Sequence, residues 1–264
     1  MGLLTLMRIL RLFLLLVVGG LTACSGGPDI NVFPVSQDVE LGRQAMAEIL
    51  QDPAAFPVLD PDTHREAYAY VQGMVDEIVD LGGVPHADVF PYRVYLIDRP
   101  VNNAFAAPGG YLFVFTGLIR SLTGPDQLAG VLAHEIAHAA ERHSTQQATK
   151  RFGLAALQRL LTGGDNSGIL AQLANQLINL GFSRADEAEA DARSVDYLCA
   201  TPYATNGAAG FFEQVERRGQ VTEFLSTHPN PQNRIQKINA RAADLDCAAK
   251  REDPAAFQRF VGQL

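Results

Sequence analysis

His134-Glu135-Ile136-Ala137-His138 sets two imidazoles four residues apart, with a carboxylate one step beyond the first. Residues at i and i+4 of an α-helix share a face, so both rings can reach one metal ion. Glu135 then stands beside that ion, where it can take a proton from bound water. The stretch Leu128 to Ala140 is otherwise almost entirely Ala, Leu, Ile and Val, which predicts a buried helix. Burying two histidines and a glutamate without partners is costly. Core histidines on an Ala-rich helix are the plain alternative, and it leaves that cost unexplained.

A third ligand is expected. One metallopeptidase class places a glycine and a third histidine at fixed spacing after the motif; here those positions hold Glu141 and Ser144, which excludes it. His143 is five residues past His138, about 140° further round a continuing helix, and projects away from the metal. The remaining candidates lie downstream. Ser183-Arg-Ala-Asp186 resembles a capping box, and the helix it opens carries Glu187 and Asp191 on one face. Taken alone, acids in a first helical turn complement the helix dipole. Behind a buried His-Glu-x-x-His they read as metal chemistry. Two histidines and a glutamate form a catalytic zinc set that leaves the fourth position for water. Asp191 suits a hydrogen bond from the far nitrogen of His134. His228 precedes Pro229, which biases it to an extended loop.

The elements that must position these residues are mostly helical. Gln37 to Gln51, opened by Ser36, and Asp62 to Leu81 carry apolar residues at helical spacing. Tyr92 to Asp98 and Tyr111 to Phe115 read as strands, the second entered through Pro108-Gly109-Gly110. Thr123-Gly-Pro-Asp126 resembles a capping box at the start of the His-Glu-x-x-His helix. Phe152 to Leu161 and Ile169 to Ile178 predict a helical hairpin between the two ligand helices, either core packing or a lid over the cleft. The fold class is α+β with helix dominant, one domain over residues 36–264, and no internal repeat.

The N-terminus reads as an address. Arg8 and Arg11 precede the apolar Leu12 to Val18, and Leu21-Thr22-Ala23-Cys24 ends the segment. That is the form of a secretory signal over residues 1–23, resembling a bacterial lipobox with Cys24 as the lipidated residue; the apolar run is short of the roughly 20 residues a span needs. Residues 24–35 read as a flexible tether. Removing residues 1–23 moves the formal charge from −8 to −10, and an acidic chain with no basic run argues against a nucleic-acid partner. Cys199 and Cys247 are a disulfide candidate in an oxidising compartment, although spacing alone leaves the pairing open.

Over most of this length the chain resembles the gluzincin peptidases of the HtpX and CAAX-prenyl-protease family, in its soluble BepA/LoiP-like periplasmic branch. The resemblance is carried by Ser36-Gln-Asp-Val-Glu-Leu-Gly-Arg43, Asn103-Ala-Phe-Ala-Ala-Pro-Gly-Gly110, Thr116-Gly-Leu118 and the His-Glu-x-x-His helix. Phe182-Ser-Arg184, Glu187 to Asp191, Ser226-Thr-His-Pro229 and Arg234-Ile235 complete it. It implies a zincin fold whose small sheet borders the cleft with an edge strand at Asn103, Ala104, Phe105 and Ala106, where an extended substrate would pair. It implies one zinc per chain on His134, His138 and Glu187, Glu135 as general base, and cleavage within polypeptide chains. His228 would either fill the fourth position in a latent state or stabilise the oxyanion, and Arg234 would hold its loop or contact the oxyanion. Lipidated Cys24 and Ser25 after it imply a periplasm-facing lipoprotein, outer membrane favoured, acting in envelope protein quality control. The helical-repeat platform of some relatives is not expected. The rival reading is a non-catalytic zinc lipoprotein that binds misfolded clients.

Overall fold

The structure, a computed structural model, describes residues 31, 34–162, 172, 181–218, 223–229, 233–245, 247 and 253–264. The signal segment, Cys24 and all but residue 172 of the helix expected over Ile169 to Ile178 lie outside the described residues. Among the described residues no helix is long and apolar enough to cross a membrane.

Three strands form one mixed sheet in the order β1-β3-β2. β1 (Arg93–Ile97) runs parallel to β3 (Tyr111–Phe115), and β2 (Ala104–Ala107) runs antiparallel to β3, with Phe105 opposite Phe113. Because side chains alternate along a strand, Val94, Leu96, Ala104, Ala106, Leu112 and Val114 face one hydrophobic cluster. Tyr95, Ile97, Phe105, Phe113 and Phe115 face the other.

The aromatic face is covered by α1 (Val35–Leu50) together with α5 (His143–Phe152) and α6 (Leu154–Leu161), through Leu41, Ala45, Ile49, Ala148 and Leu157. Gly42 is needed in α1 because a Cβ there would lie 1.9 Å from the Pro108 carbonyl oxygen. On the other face lie α2 (Arg65–Leu81) and α4 (Pro125–Ala140), with the short α3 (Thr116–Ser121) between them in sequence. Behind α4 pack α7 (Arg184–Leu198) and α8 (Gly207–Arg218), followed by α10 (Arg234–Asp244) against both. α9 (Glu223–Thr227) is a single turn, and α11 (Pro254–Val261) rests on α2. A Cβ on Gly130 would stand 2.0 Å from the Ala208 nitrogen, so α4 and α8 meet backbone to backbone.

Neither outer edge of the sheet is left as a bare ladder. Along β1, the Gln72 side-chain amide donates to the Tyr92 carbonyl (2.9 Å) and accepts from the Val94 N–H (2.9 Å). The Tyr68 hydroxyl accepts from Leu96 N–H at 3.2 Å and donates to the Leu59 carbonyl at 2.8 Å. Along β2, the Phe115 N–H donates to Asn103 O, which assigns the main-chain groups of Ala104 and Ala106 to the outer side by antiparallel alternation. There the Asn103 side chain accepts from Ala104 N–H at 3.0 Å, and Ser144 Oγ donates to Ala106 O at 2.8 Å.

Several boundaries differ from expectation. α1 and α2 begin at Val35 and Arg65, behind Pro34 and His64, neither giving a side-chain cap. α4 starts with Pro125 at its first position after Gly124, and Thr123 bonds Gln127 in place of closing a box. The expected Phe152 to Leu161 helix is broken at Gly153, whose φ of 79° separates α5 from α6. Cys199, at the end of α7, is bridged to Cys247 with Cα atoms 5.1 Å apart.

Candidate metal centre

α4 carries His134, Glu135 and His138 at its buried end, each no more than 1 % exposed. α7 is set against it by the capping box of Ser183 and Asp186, both halves of which form, and it presents Glu187 one residue later. His228 follows α9, its N–H bonded to the Phe224 carbonyl at 2.8 Å, and the Phe224 N–H is fixed to Asn102 O at 3.0 Å. These three elements bring ligand atoms of His134, His138, Glu187 and His228 within 4.8 Å of one another. The Nε2 atoms of His134 and His138 are 3.0 Å apart. Glu187 stands 3.5 Å from each of those two nitrogens and 3.0 Å from His228 Nδ1.

Both carboxylate oxygens of Glu135, Glu187 Oε2 and His228 Nε2 are buried without an aligned hydrogen bond. Glu135 Oε1 has His228 Nε2 at 3.4 Å, and Glu187 Oε2 has Arg234 Nη2 at 3.0 Å, so charge surrounds them without closing the hydrogen-bond account. Buried anions in that condition destabilise a fold unless something neutralises them. Three imidazoles and a carboxylate converging on one point are the donor set of a transition-metal ion, and the geometry fits one.

Electrostatics support the same assignment. Burial pushes the His138 imidazole well below its usual pKa, leaving it neutral with a lone pair to give. For Glu187 burial acts upward, yet His228, His134 and His138 outweigh it and hold the carboxyl far below the ordinary range. Burial also opposes protonation of His134, but hydrogen bonds to Asp191 and Glu187 raise it on balance. Glu135 is pushed up to about 7, chiefly by burial, with His228 pulling against it.

The surrounding shell is well defined. His134 Nδ1 lies 3.1 Å from Asp191 Oδ1. Arg234, 2 % exposed, bridges Asp191 (2.7 Å to Oδ1) and Glu187, and its guanidinium carbon lies 4.0 Å from the Phe212 ring centroid. Asn103, Ala104, Phe105 and Ala106 run beside the site, all 2 % exposed or less. Ala106 is the member of β2 that acts on Glu135, its backbone lowering the carboxyl's pKa against burial.

Sequence reasoning missed three residues. Phe182 stacks on His138 with ring centroids 3.9 Å apart, and Phe224 stacks on His228 at 4.3 Å. Phe182 was read only as part of the Phe182-Ser-Arg184 segment of the family resemblance, with no role given to it. The third is His143. α4 ends at Ala140, and Arg142 at φ 63° turns the chain before α5, so the helical projection does not apply. His143 stays out of the donor cluster, as expected, but its Nδ1 lies 2.9 Å from His138 Nδ1.

A buried His-Glu-x-x-His helix facing a glutamate from a second helix, beside a small sheet, defines a gluzincin-type metallopeptidase scaffold. The chain belongs to peptidase family M48, whose profile matches residues 65–242. Among curated relatives it is 31 % identical over 217 residues to a mitochondrial metalloendopeptidase OMA1 from Schizosaccharomyces pombe, covering 77 % of this chain and 61 % of that protein. It is 30 % identical over 162 residues to metalloprotease YcaL of Escherichia coli, covering 58 % of this chain and 62 % of YcaL. With the beta-barrel assembly-enhancing protease of Yersinia pestis it shares 28 % over 171 residues, 59 % of this chain and 35 % of that protein. The chain thus spans between about a third and three-fifths of these relatives' own lengths.

Proposed function

We propose that this chain is a zinc-dependent endopeptidase of the bacterial envelope that hydrolyses peptide bonds in extended segments. The observation that carries the proposal is the orphaned Glu135 carboxylate placed beside the His134, His138 and Glu187 donors. When bound there, zinc would lower the pKa of a coordinated water to about 7 and polarise the substrate carbonyl. Glu135 takes the proton from the attacking water and delivers it to the leaving amine. Asp191 accepts from His134 Nδ1 and keeps the opposite nitrogen turned to the ligand cluster. Arg234, buried between Asp191 and Glu187, orients both carboxylates, which favours a holding role over direct contact with an oxyanion. A substrate strand would pair with the outer groups of Ala104 and Ala106 after displacing the Asn103 side chain and the Ser144 hydroxyl. Main-chain pairing of this kind reads shape over side-chain identity.

His228 lies in the donor cluster with Phe224 and Thr227 around it, and the Phe182 N–H reaches the Thr227 carbonyl at 3.3 Å. That arrangement supports the fourth-ligand, latent role for His228 over oxyanion stabilisation. It also favours the alternative of a permanently closed, non-catalytic zinc site in a client-binding lipoprotein. The finer placement, a BepA/LoiP-like lipoprotein anchored through Cys24 to the outer membrane and acting on misassembled envelope proteins, is supported by the lipobox-like sequence and by the two bacterial relatives.

The test is zinc per chain, by elemental analysis, on a secreted form starting after Cys24, together with hydrolysis of an unfolded protein. Expected are one zinc in the parent, loss in Glu187→Ala, and hydrolysis that rises in His228→Ala. A zinc-loaded parent and a zinc-loaded His228→Ala that are both inert would establish the closed binder; a folded parent without zinc would remove the metal chemistry.

A further inference from the structure

Resting on the reading above that His138 is a ligand through Nε2, we infer that His143, which faces Glu189, is a positioning residue that fixes His138 as its Nδ1–H tautomer. The chain arranges this contact deliberately. Arg142 adopts the left-handed region and is held there by Asp38 of α1, a carboxylate 1 % exposed that accepts from both its Nη2 (3.0 Å) and its Nε. The Ser144 hydroxyl is tied to β2 through Ala106 O. Between these two anchors His143, 2 % exposed, is placed against the far side of the His138 ring. Phe182 stacked on the His138 face blocks rotation of that ring.

Two ring nitrogens 2.9 Å apart need one proton between them, since facing lone pairs or facing N–H groups repel. His138 Nε2 faces His134 Nε2 and Glu187, so a neutral His138 that offers Nε2 carries its proton on Nδ1. His143 Nδ1 must then accept, and its own proton sits on Nε2, which looks at Glu189 Oε2 from 3.5 Å. Glu189 is 47 % exposed and flanked by Arg193, which also binds Glu141 at 2.7 Å. The contrast with His134 has a physical reason. Asp191 serves His134 directly and is neutralised by Arg234. A further buried carboxylate at His138, beside Glu135 and Glu187, would add an uncompensated charge; an interposed imidazole moves that charge to the surface.

The experiment compares zinc affinity by chelator competition in the parent, His143→Leu, His143→Asn and Glu189→Gln. His143→Leu keeps the bulk and removes the acceptor, and should weaken zinc by on the order of 10–100-fold, the usual cost of losing a ligand's orienting partner. His143→Asn places an amide oxygen near the Nδ1 position and should restore most of the affinity; Glu189→Gln should show a smaller loss than Leu. A folded His143→Leu that binds zinc within about twofold of the parent, or an Asn variant as weak as Leu, overturns the inference. His134→Ala separates the two levels: zinc lost there but kept in His143→Leu defeats the positioning role alone, and zinc absent from the parent defeats both. Should His143→Leu not fold, nitrogen-15 imidazole spectra of the zinc-loaded parent decide directly. They should show His138 protonated on Nδ1 and His143 on Nε2, and the opposite tautomer on either ring overturns the inference.

Discussion

The Cys199–Cys247 bridge closes a stretch with a sequence separation of 48 residues. That stretch contains α8, α9, His228 and α10 with Arg234, so it ties one of the four clustered donors and the buried arginine to the end of α7. Replacing both cysteines by serine costs little inside the fold, because both are only half-buried. The effect falls on the unfolded chain. Loop-closure entropy for about 48 residues amounts to roughly 14 cal/mol/K, or about 4 kcal/mol at 25 °C. Against a typical domain stability of about 5–15 kcal/mol, that is a large fraction. Equilibrium guanidinium unfolding of the chelator-treated parent and the double serine variant measures it. Expected are a midpoint lowered by the equivalent of about 4 kcal/mol and a steeper denaturant slope, since the unbridged chain exposes more surface on unfolding. A loss under about 1 kcal/mol with unchanged slope would refute the entropic reasoning, and would mean that residues 199–247 stay ordered or compact after the rest of the chain unfolds.

Four other outcomes are expected. Glu135→Gln should lower the hydrolysis rate by about 10²–10⁴-fold while one zinc is retained, read by stopped assay and elemental analysis. Asp38→Ala removes the buried carboxylate that accepts from Arg142 Nε and Nη2 at the α4–α5 corner, where the arginine side chain is only 13 % exposed; a loss of about 3 kcal/mol in denaturant unfolding is expected. Gly130→Ala drives a methyl to 2.0 Å from the Ala208 nitrogen and should cost about 3 kcal/mol, seen as a lowered melting temperature. Stripping metal with a chelator should lower the melting temperature, and zinc at a thousand times its dissociation constant should restore about 4 kcal/mol.

Much of this was legible in the sequence for identifiable reasons. β1 lies in an alternating stretch and β3 is a short bulky run entered through Pro108-Gly109-Gly110, so both were visible, whereas β2 reads Ala-Phe-Ala-Ala, residues with little strand preference, and entered only through the family resemblance. Its small side chains are what the site requires, because α4 packs directly over Ala104 and Ala106. Glu187 and Asp191 were found from a cap and a shared helical face, both local properties. His143 was lost because a helix was continued through Arg142, and nothing local announces that an arginine will turn left-handed. The cause is Asp38, more than a hundred positions earlier. The stacking of Phe182 and Phe224 on the histidines is likewise a product of tertiary packing; Phe182 stood in a family segment, but nothing local shows what it packs against.

The sealing of β1 by Gln72 and Tyr68 decides which border of the sheet an added strand could join. A sheet with two open borders is a template for growth at both, and an extended client bound at one would invite further strands at the other. Here a helix's side chains imitate the missing neighbour strand, offering an amide in the place of a peptide group. The border at β2 is closed more lightly, by the Asn103 side chain at Ala104 N–H and the Ser144 hydroxyl at Ala106 O. Under the proposed function, a segment that joined the sheet at β2 would lie beside Glu135, while the sealed β1 border would offer no second place for growth.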